Sequence, residues 1–358
     1  MIRHDQPVRV GILGLGGIGT THARALASLA AAGSPVRVTA FSGGTAEAAR
    51  ECGWPQARQL SPDELLSGKG LDVLVVCTPS ALHHRQIMTA LRNGLQVVAE
   101  KPMALTVEEA TEIREYAAAH DLLVSPMAQR RFEPINVALK DAITSGRLGR
   151  VVLGETFVHW FRSDAYYQEA PWRAEADGGG GSLMNQGLHN VDLLCWLLGG
   201  VRRVAGLTAT LGHSIDVEDT TVASLEFVGG ALGVIATTTA TPPGAPSSIS
   251  IWTTTGSMEV DQNGIREWRF ADVEPPEGPE ELVTGASDPA AIGISGHVAQ
   301  WQDILQALAS GDQPMITADD GWATVAVLDG IYRSANQQRT LETGIVGGDD
   351  SRSSEVAR

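Results

Sequence analysis

The sequence predicts an α/β chain of two domains, a doubly wound parallel sheet followed by a domain built on an antiparallel sheet. Three observations predict it. Short β-branched runs alternate with helical patterns as far as Pro126, and strand-like segments then succeed one another from Val201 to Phe270. The 358 residues also suffice for two domains, at ~100–200 residues each. The expected boundaries are 1–126 and 127–342, with 343–358 a polar, disordered tail.

In the first domain the order is "VRVGIL", a helix over 17–32, "VRVTAF", a helix near 45–51, and "DVLVVC". A helix over about 80–93, "LQVVAE", a helix over about 106–120 and "LLVSP" complete it. Buried strands separated by helices of this length imply right-handed βαβ units and a parallel sheet covered on both faces. The second domain opens with a helix over about 132–145, the strand "RVVLGETFVHW", four glycines and a helix over 182–198. Then come "VRRVAGLTATL", "TTVASLEFV", "ALGVIATTTA", "SSISIWTT", "SMEVDQ" and "IREWRF". Within "ASLEF", Ala223, Leu225 and Phe227 alternate with Ser224 and Glu226, and "VGG" supplies a tight reversal. Residues 271–290, rich in Pro, Glu and Gly, read as a loop. Two helices, "HVAQWQDILQALASG" and "DDGWATVAVLDGIYRSANQ", close the domain and cover one sheet face. The other face, with runs such as "ALGVIA", is expected to be covered by a second copy, giving a homodimer or homotetramer.

A formal charge of −16 with no Lys/Arg cluster excludes a nucleic-acid partner. The N-terminus lacks a leader pattern and no segment reaches 18 uninterrupted apolar residues, so a cytoplasmic protein without membrane contact is expected. Cys52, Cys77 and Cys195 are far apart and outside metal-ligand spacing, which argues against disulfides and against a metal site. Of 26 basic residues only Lys69, Lys101 and Lys140 are lysines, so each is worth a specific reason.

"GLGGIG" places Gly14, Gly16 and Gly19 directly after a strand and at the opening of a helix, the context of a dinucleotide fingerprint. Its glycines permit a tight turn and close approach to a pyrophosphate, and the amides of Gly17 and Ile18 at the helix start suit an anion. No carboxylate ends the second strand at "FSGGTAEAAR". Ser42, Gly43 and Thr45 can donate to a 2′-phosphate there, with Arg24 or Arg50 as counter-charge, so the cofactor expected is NAD(P), leaning to NADP or dual. Thr78, Pro79, His83, Glu100, Lys101 and Pro102 follow the next strands, at the sheet edge where ligands of doubly wound folds bind. On a regular helix Asn185, His189 and Asp192 project together. Upstream of it, Arg162, Tyr166, Tyr167, Trp172 and Arg173 suit a sugar ring, with Arg131 of "QRRFEP" a further contributor.

In this order, "GLGGIG", "CTPSALH", "EKP" and "GGGSLMNQGLHNVD" resemble the Gfo/Idh/MocA family of sugar and cyclitol oxidoreductases, over roughly residues 8–340. The resemblance implies a Rossmann domain and an α/β domain with a large open, mostly antiparallel sheet. It also implies NAD(P) between them and a small polyhydroxylated substrate over the nicotinamide. Lys101 of "EKP" then lies beside the reacting hydroxyl, where an ammonium stabilises developing alkoxide charge. Glu100 either positions Lys101 or balances its charge. His189 is the general base, and Asn185 stands where aspartate is more usual, which leaves the division of labour between His189 and Lys101 open. Asp192 either orients His189 or forms a helix-packing ion pair. Two other functions compete: an NAD-dependent glycoside hydrolase that oxidises its substrate transiently, and a non-catalytic dinucleotide-binding regulator.

Overall fold

The computed structural model describes residues 6–276 and 293–345. The expected polar tail beyond Ile345 and most of the expected 271–290 loop lie outside the described residues. The first half of the chain runs β1 (Val8–Leu13), α1 (Gly17–Ala31), β2 (Val36–Ser42), α2 (Ala46–Glu51), β3 (Arg58–Gln59) and α3 (Pro62–Leu66). It continues with β4 (Val73–Val76), α4 (His83–Arg92), β5 (Gln96–Ala99), α5 (Val107–Ala119) and β6 (Val124–Pro126). These strands form one parallel sheet in the order β3-β2-β1-β4-β5-β6, the Rossmann order with its switch point between β1 and β4. The central strands are buried along their whole length because helices cover both faces: Val73, Leu74, Val75 and Val76 are fully enclosed. Elements β3 and α3 are additions to the expected order. Two exposed residues carry no period, and the Ser61 capping box that starts α3 precedes only one helical turn.

The second half runs α6 (Pro134–Thr144), β7 (Val151–His159), α7 (Asp164–Glu169), α8 (Leu188–Leu198), β8 (Val201–Ala209), β9 (Thr220–Phe227) and β10 (Leu232–Thr238). There follow β11 (Ser248–Thr253), β12 (Ser257–Asp261), β13 (Gly264–Arg269), α9 (Ser295–Ser310), α10 (Ala318–Gln337) and β14 (Leu341–Glu342). Its eight-stranded sheet has the order β13-β12-β11-β7-β10-β9-β8-β14 and is antiparallel except where β10 runs parallel to β7. In β9 the period of two holds: Ala223, Leu225 and Phe227 face the core, and Val222 and Ser224 face out. The inner face packs on α6, α8 and α10 around Leu183, Leu194, Ile235 and Leu328. Pairing register puts Leu153, Leu207, Val222, Leu232 and Trp252 together on the outer face, where the last four are exposed.

One expectation about the two closing helices is corrected. Helix α10 lies over the inner face of the second sheet, but α9 packs on α1, and its Trp301, Ile304 and Leu305 join the core of the first domain. An amphipathic pattern shows that a face is buried, and here the complementary surface belongs to α1.

Candidate active site

At the first strand end, Gly14 adopts φ +101°, and a Cβ there would stand 2.7 Å from the Cys77 carbonyl oxygen. One at Gly19 would stand 2.1 Å from the oxygen of Gly14, whereas at Gly16 and Gly17 it would meet nothing within 4 Å. Two of the glycines therefore close the turn, and two leave the backbone open on the ligand side. No side chain caps α1, so its first amides are free to receive an anion, and the turn fits a dinucleotide pyrophosphate. The amides of Gly14 and Leu15 donate to the Ser42 carbonyl at 2.9 and 3.0 Å, so Ser42 is buried and acts through its backbone. Thr45 caps α2 by accepting the Ala48 amide, and Arg24 and Arg50 are exposed.

His83 departs from its expected place at the cofactor. It is buried, and its two ring nitrogens stand 2.7 Å from the carbonyl oxygens of Pro102 and Thr78. It ties the loops after β4 and β5 together from beneath. Thr78 is half-buried and donates to Gln86, and Pro79 is exposed.

The helix expected over 182–198 is two pieces, a π-type turn at Ser182–Gly187 and then α8. One-turn π segments are concentrated at functional sites because they insert an extra residue and re-aim the side chains beyond it. Each of the four preceding glycines is needed by close contact within the chain. A Cβ at Gly178 or Gly180 would stand 2.1 or 2.0 Å from the carbonyl oxygens of Trp172 and Arg173. At Gly179 (φ +77°) it would stand 2.7 Å from Ser80, and at Gly181 (φ +93°) 2.0 Å from the Glu218 carboxylate. Between Ser182 and Asn190 only Asn185 and His189 keep partial exposure; the others are buried. The ammonium of half-buried Lys101 donates to the backbone carbonyl of Asn185 at 3.0 Å.

Burial, reinforced by the charge of Lys101, holds the His189 imidazole well below its ordinary value, so the ring is neutral near pH 7. Burial lowers Lys101 as well, opposed by the charge of Glu100. Asp192 does not reach His189. It holds the Arg131 guanidinium at 3.0 and 2.6 Å, and Asp320 takes a further Arg131 nitrogen at 2.6 Å. Arg131, expected at the substrate, is instead the centre of a buried ion triad that fixes α8 to α10.

The loop after β7 brings Arg162, Tyr166, Arg173 and Asn185 together. Tyr166 has the Arg173 guanidinium 4.0 Å from its ring centre and that of Arg162 at 5.4 Å. Its hydroxyl accepts from Gln186 at 2.8 Å and from Asn185 at 3.4 Å, and Arg162 donates to Gln186 at 2.9 Å. Trp172 is half-buried beside Arg173, while Tyr167 is core, bonded to Thr239.

Glu100, expected from the sequence, has partners that sequence reasoning missed: His22, His297 and Trp301, and apart from them Glu218. Glu100 accepts from the Lys101 amide at 3.2 Å and from His22 Nε2 at 3.1 Å, with His297 Nε2 3.8 Å away. Trp301 donates to His22 Nδ1 at 2.9 Å, which leaves the proton of neutral His22 on Nε2, pointing at Glu100. That pattern uses the lone pair a metal ion would need from His22, so this His-Glu-His cluster is a hydrogen-bonded one. Burial pushes Glu100 up, but His22 and His297 outweigh it and hold the carboxyl well below the usual range. Burial raises Glu218 to about 7 against hydrogen bonds from Leu183, Tyr332 and Ser182. The four-residue spacing of His297 and Trp301 is a visible signal; no local signal marks Glu218.

Residues 8–127 match the profile of an oxidoreductase family with an NAD-binding Rossmann fold, and 136–259 that of the Gfo/Idh/MocA C-terminal domain. The crystal structure of the WlbA dehydrogenase from Bordetella pertussis, in complex with NADH and UDP-GlcNAcA, superposes with a TM-score of 0.83. It is 31% identical over 96% of this chain and 100% of that one. This chain belongs to the Gfo/Idh/MocA family. It is an NAD-binding oxidoreductase. Other Gfo/Idh/MocA relatives include scyllo-inositol 2-dehydrogenase (NAD(+)) of Bacillus subtilis, 27% identical over 72% of this chain and 74% of the relative. The rhizopine catabolism protein MocA of Rhizobium meliloti is 26% identical over 90% and 93%. Among the described residues of this Gfo/Idh/MocA chain, no helix is long and apolar enough to cross a membrane.

Proposed function

We propose that the chain moves a hydride between a secondary alcohol carbon of a sugar, sugar acid or cyclitol and NAD(P). One observation carries the reading: the only two positions of the Ser182–Asn190 segment that keep partial exposure are Asn185 and His189, and Lys101 is bonded to the backbone of the first of them. His189, neutral at working pH, takes the hydroxyl proton during oxidation. The Lys101 ammonium donates to the same oxygen as negative charge develops on it. Asn185, Tyr166, Trp172, Arg162 and Arg173 receive the ring, the aromatic faces covering C–H patches and the polar groups bonding hydroxyls. Gly16, Gly17 and Ile18 hold the pyrophosphate on a turn that Gly14 and Gly19 close, and Thr78 and Pro79 border the cofactor. Bound NAD(P) supplies the hydride acceptor or donor. The WlbA complex with UDP-GlcNAcA and the inositol dehydrogenase support a hydroxylated ring substrate.

Use of NADP, or of both dinucleotides, is supported by the absence of a carboxylate at Ser42-Gly43-Gly44 after β2. The outer sheet face of Leu207, Val222, Leu232 and Trp252 supports a homodimer or homotetramer. Three unpaired cysteines suit a reducing compartment, the cytoplasm. The test is absorbance of reduced nicotinamide on mixing the protein with NAD or NADP and a panel of scyllo- and myo-inositol, uronates, aldoses and UDP-linked uronates. Reduced cofactor accumulates in proportion to product. Substrate turnover without it would point to the transient-oxidation hydrolase, and no turnover on any member would overturn the reading. An affinity for NAD more than about ten times that for NADP, or a monomer in light scattering, would sink the two finer proposals.

A further inference from the structure

We propose that Glu218, together with Tyr332, is a positioning residue for the reaction, a cap brought from outside the segment that sets the height and rotation of Asn185 and His189 against Lys101. This rests on the roles proposed above for His189 and Lys101.

The first amides of a helix have no partners within it and must find them elsewhere. Here they are met in succession. Ser182 N donates to Glu218 Oε2 at 3.2 Å and to the Glu218 carbonyl at 3.0 Å, and Leu183 N donates to Glu218 Oε1 at 2.7 Å. Met184 N donates to the Tyr332 hydroxyl at 3.1 Å, which itself donates to Glu218 Oε1 at 2.9 Å. Ser182 Oγ adds a contact of 3.3 Å. A carboxylate at this end also complements the helix dipole. A local Ser or Asp would satisfy one amide of an ordinary helix. This cap comes instead from the segment before β9 and from α10, so it ties the π-type turn to both the second sheet and the helix above it. Gly181 makes room for it, since its missing Cβ would collide with the carboxylate.

The register of that cap has chemical consequences. A π turn holds one residue more than an α turn. Moving the cap by one amide would rotate the residues beyond it by about 100° and shift them by about 1.5 Å along the axis. Asn185, whose carbonyl receives Lys101, comes directly after the last capped amide, and His189 lies one turn further. Such a shift would carry the Asn185 carbonyl away from Lys101 and re-aim the His189 ring one turn further on. Glu218 thus acts through the helix and touches no reacting atom.

The test uses the full chain with Glu218→Gln and Tyr332→Phe, the second removing only a hydroxyl. Above about pH 8, where Glu218, raised to about 7, is ionised, hydrogen exchange of the 182–190 segment is expected to accelerate by about tenfold or more in Glu218→Gln, the scale of one lost charge-assisted hydrogen bond, and less in Tyr332→Phe. NADH affinity should stay within about threefold, because the glycine turn is untouched. NMR titration of His189 should show its midpoint rising towards the ordinary imidazole value as the ring leaves Lys101; a cap with a purely structural role would not move it. Turnover of scyllo-inositol, or of whichever panel member the wild type oxidises, should fall by about tenfold with KM changed far less. Unchanged exchange in both variants, or a His189 midpoint that stays put in both, overturns the proposal. Should Glu218→Gln fail to fold, Tyr332→Phe decides by the same two readouts. Wild type inactive on every panel member would overturn the proposed activity, whereas exchange and titration would still report on the cap.

Discussion

Lys101 Nζ stands 3.0 Å from the carbonyl oxygen of Asn185, so the lysine at a Rossmann strand end is held by the backbone of the facing domain. Lys101, proposed above as the donor to the substrate oxygen, is thereby held by a contact that a side-chain substitution at Asn185 leaves intact, which makes separate tests of the two residues possible.

Replacing Lys101 by Met should leave dinucleotide affinity within a few-fold and lower turnover by at least ~10²-fold, the scale for one transition-state donor. It should also raise the His189 midpoint part of the way, since burial chiefly, and the Lys101 charge after it, lowers it in the wild type. Single-turnover kinetics and NMR titration check the two halves; near-normal turnover would remove Lys101 from the chemistry.

Asn185→Asp places a carboxylate one turn before His189. An opposite charge there favours the imidazolium, so the acidic limb of the kcat/KM profile for oxidation should move to higher pH. The same limb should vanish in His189→Ala. A limb that stays put in the first variant and survives in the second would transfer the role of base to Lys101.

Glu100→Gln removes the charge that supports Lys101 and the acceptor of the His22 proton. At pH 7 a loss of ~3–5 kcal/mol is expected, as for breaking a buried pair. The Glu100 carboxyl is depressed in the folded state, so its contribution is present above the unfolded carboxylate pKa and fades as pH falls through the lower folded value. Denaturant melts should therefore show the gap between wild type and variant narrowing on acidification; a constant gap would contradict the sign.

Gly181→Ala combines a left-handed φ of +93° with a Cβ 2.0 Å from the Glu218 carboxylate. It should cost ~1–3 kcal/mol in stability from backbone strain alone. Gly146→Ala, at φ +73° with nothing within 4 Å, is the control for conformation without collision. Equal losses in the two variants would show that the collision is relieved without cost.

The Rossmann half is legible in the sequence because strands such as Val73–Val76 are continuous apolar runs bounded by polar turns, and "GLGGIG" names its own context. The second sheet is legible through alternation, as in Ala223, Leu225 and Phe227. The parallel pairing of β10 with β7 is not, since alternation is the same in either direction. The site residues on one segment, Arg162 to Arg173 and Asn185 to His189, stand out by their types. Arg131 is misplaced by the same reasoning because its partners Asp192 and Asp320 lie 61 and 189 residues away, a distance over which spacing carries no information. The π turn stays hidden because Asn185 and His189 fit the α period equally well.

The seating of Trp301 against His22, 279 residues earlier in the chain, also bears on biosynthesis. At ~5–20 residues per second, the earliest part of the polypeptide waits roughly 15–60 s on the ribosome for the aromatic wedge that completes its interior. During that interval the place beside His22 stays without its final occupant, and the core cluster to which Val10, Ala25 and Leu26 belong lacks the α9 members Trp301, Ile304 and Leu305. Expression of residues 1–126 by themselves would perpetuate that state, whereas a fragment co-expressed with residues 293–310 would have its missing wedge supplied in trans.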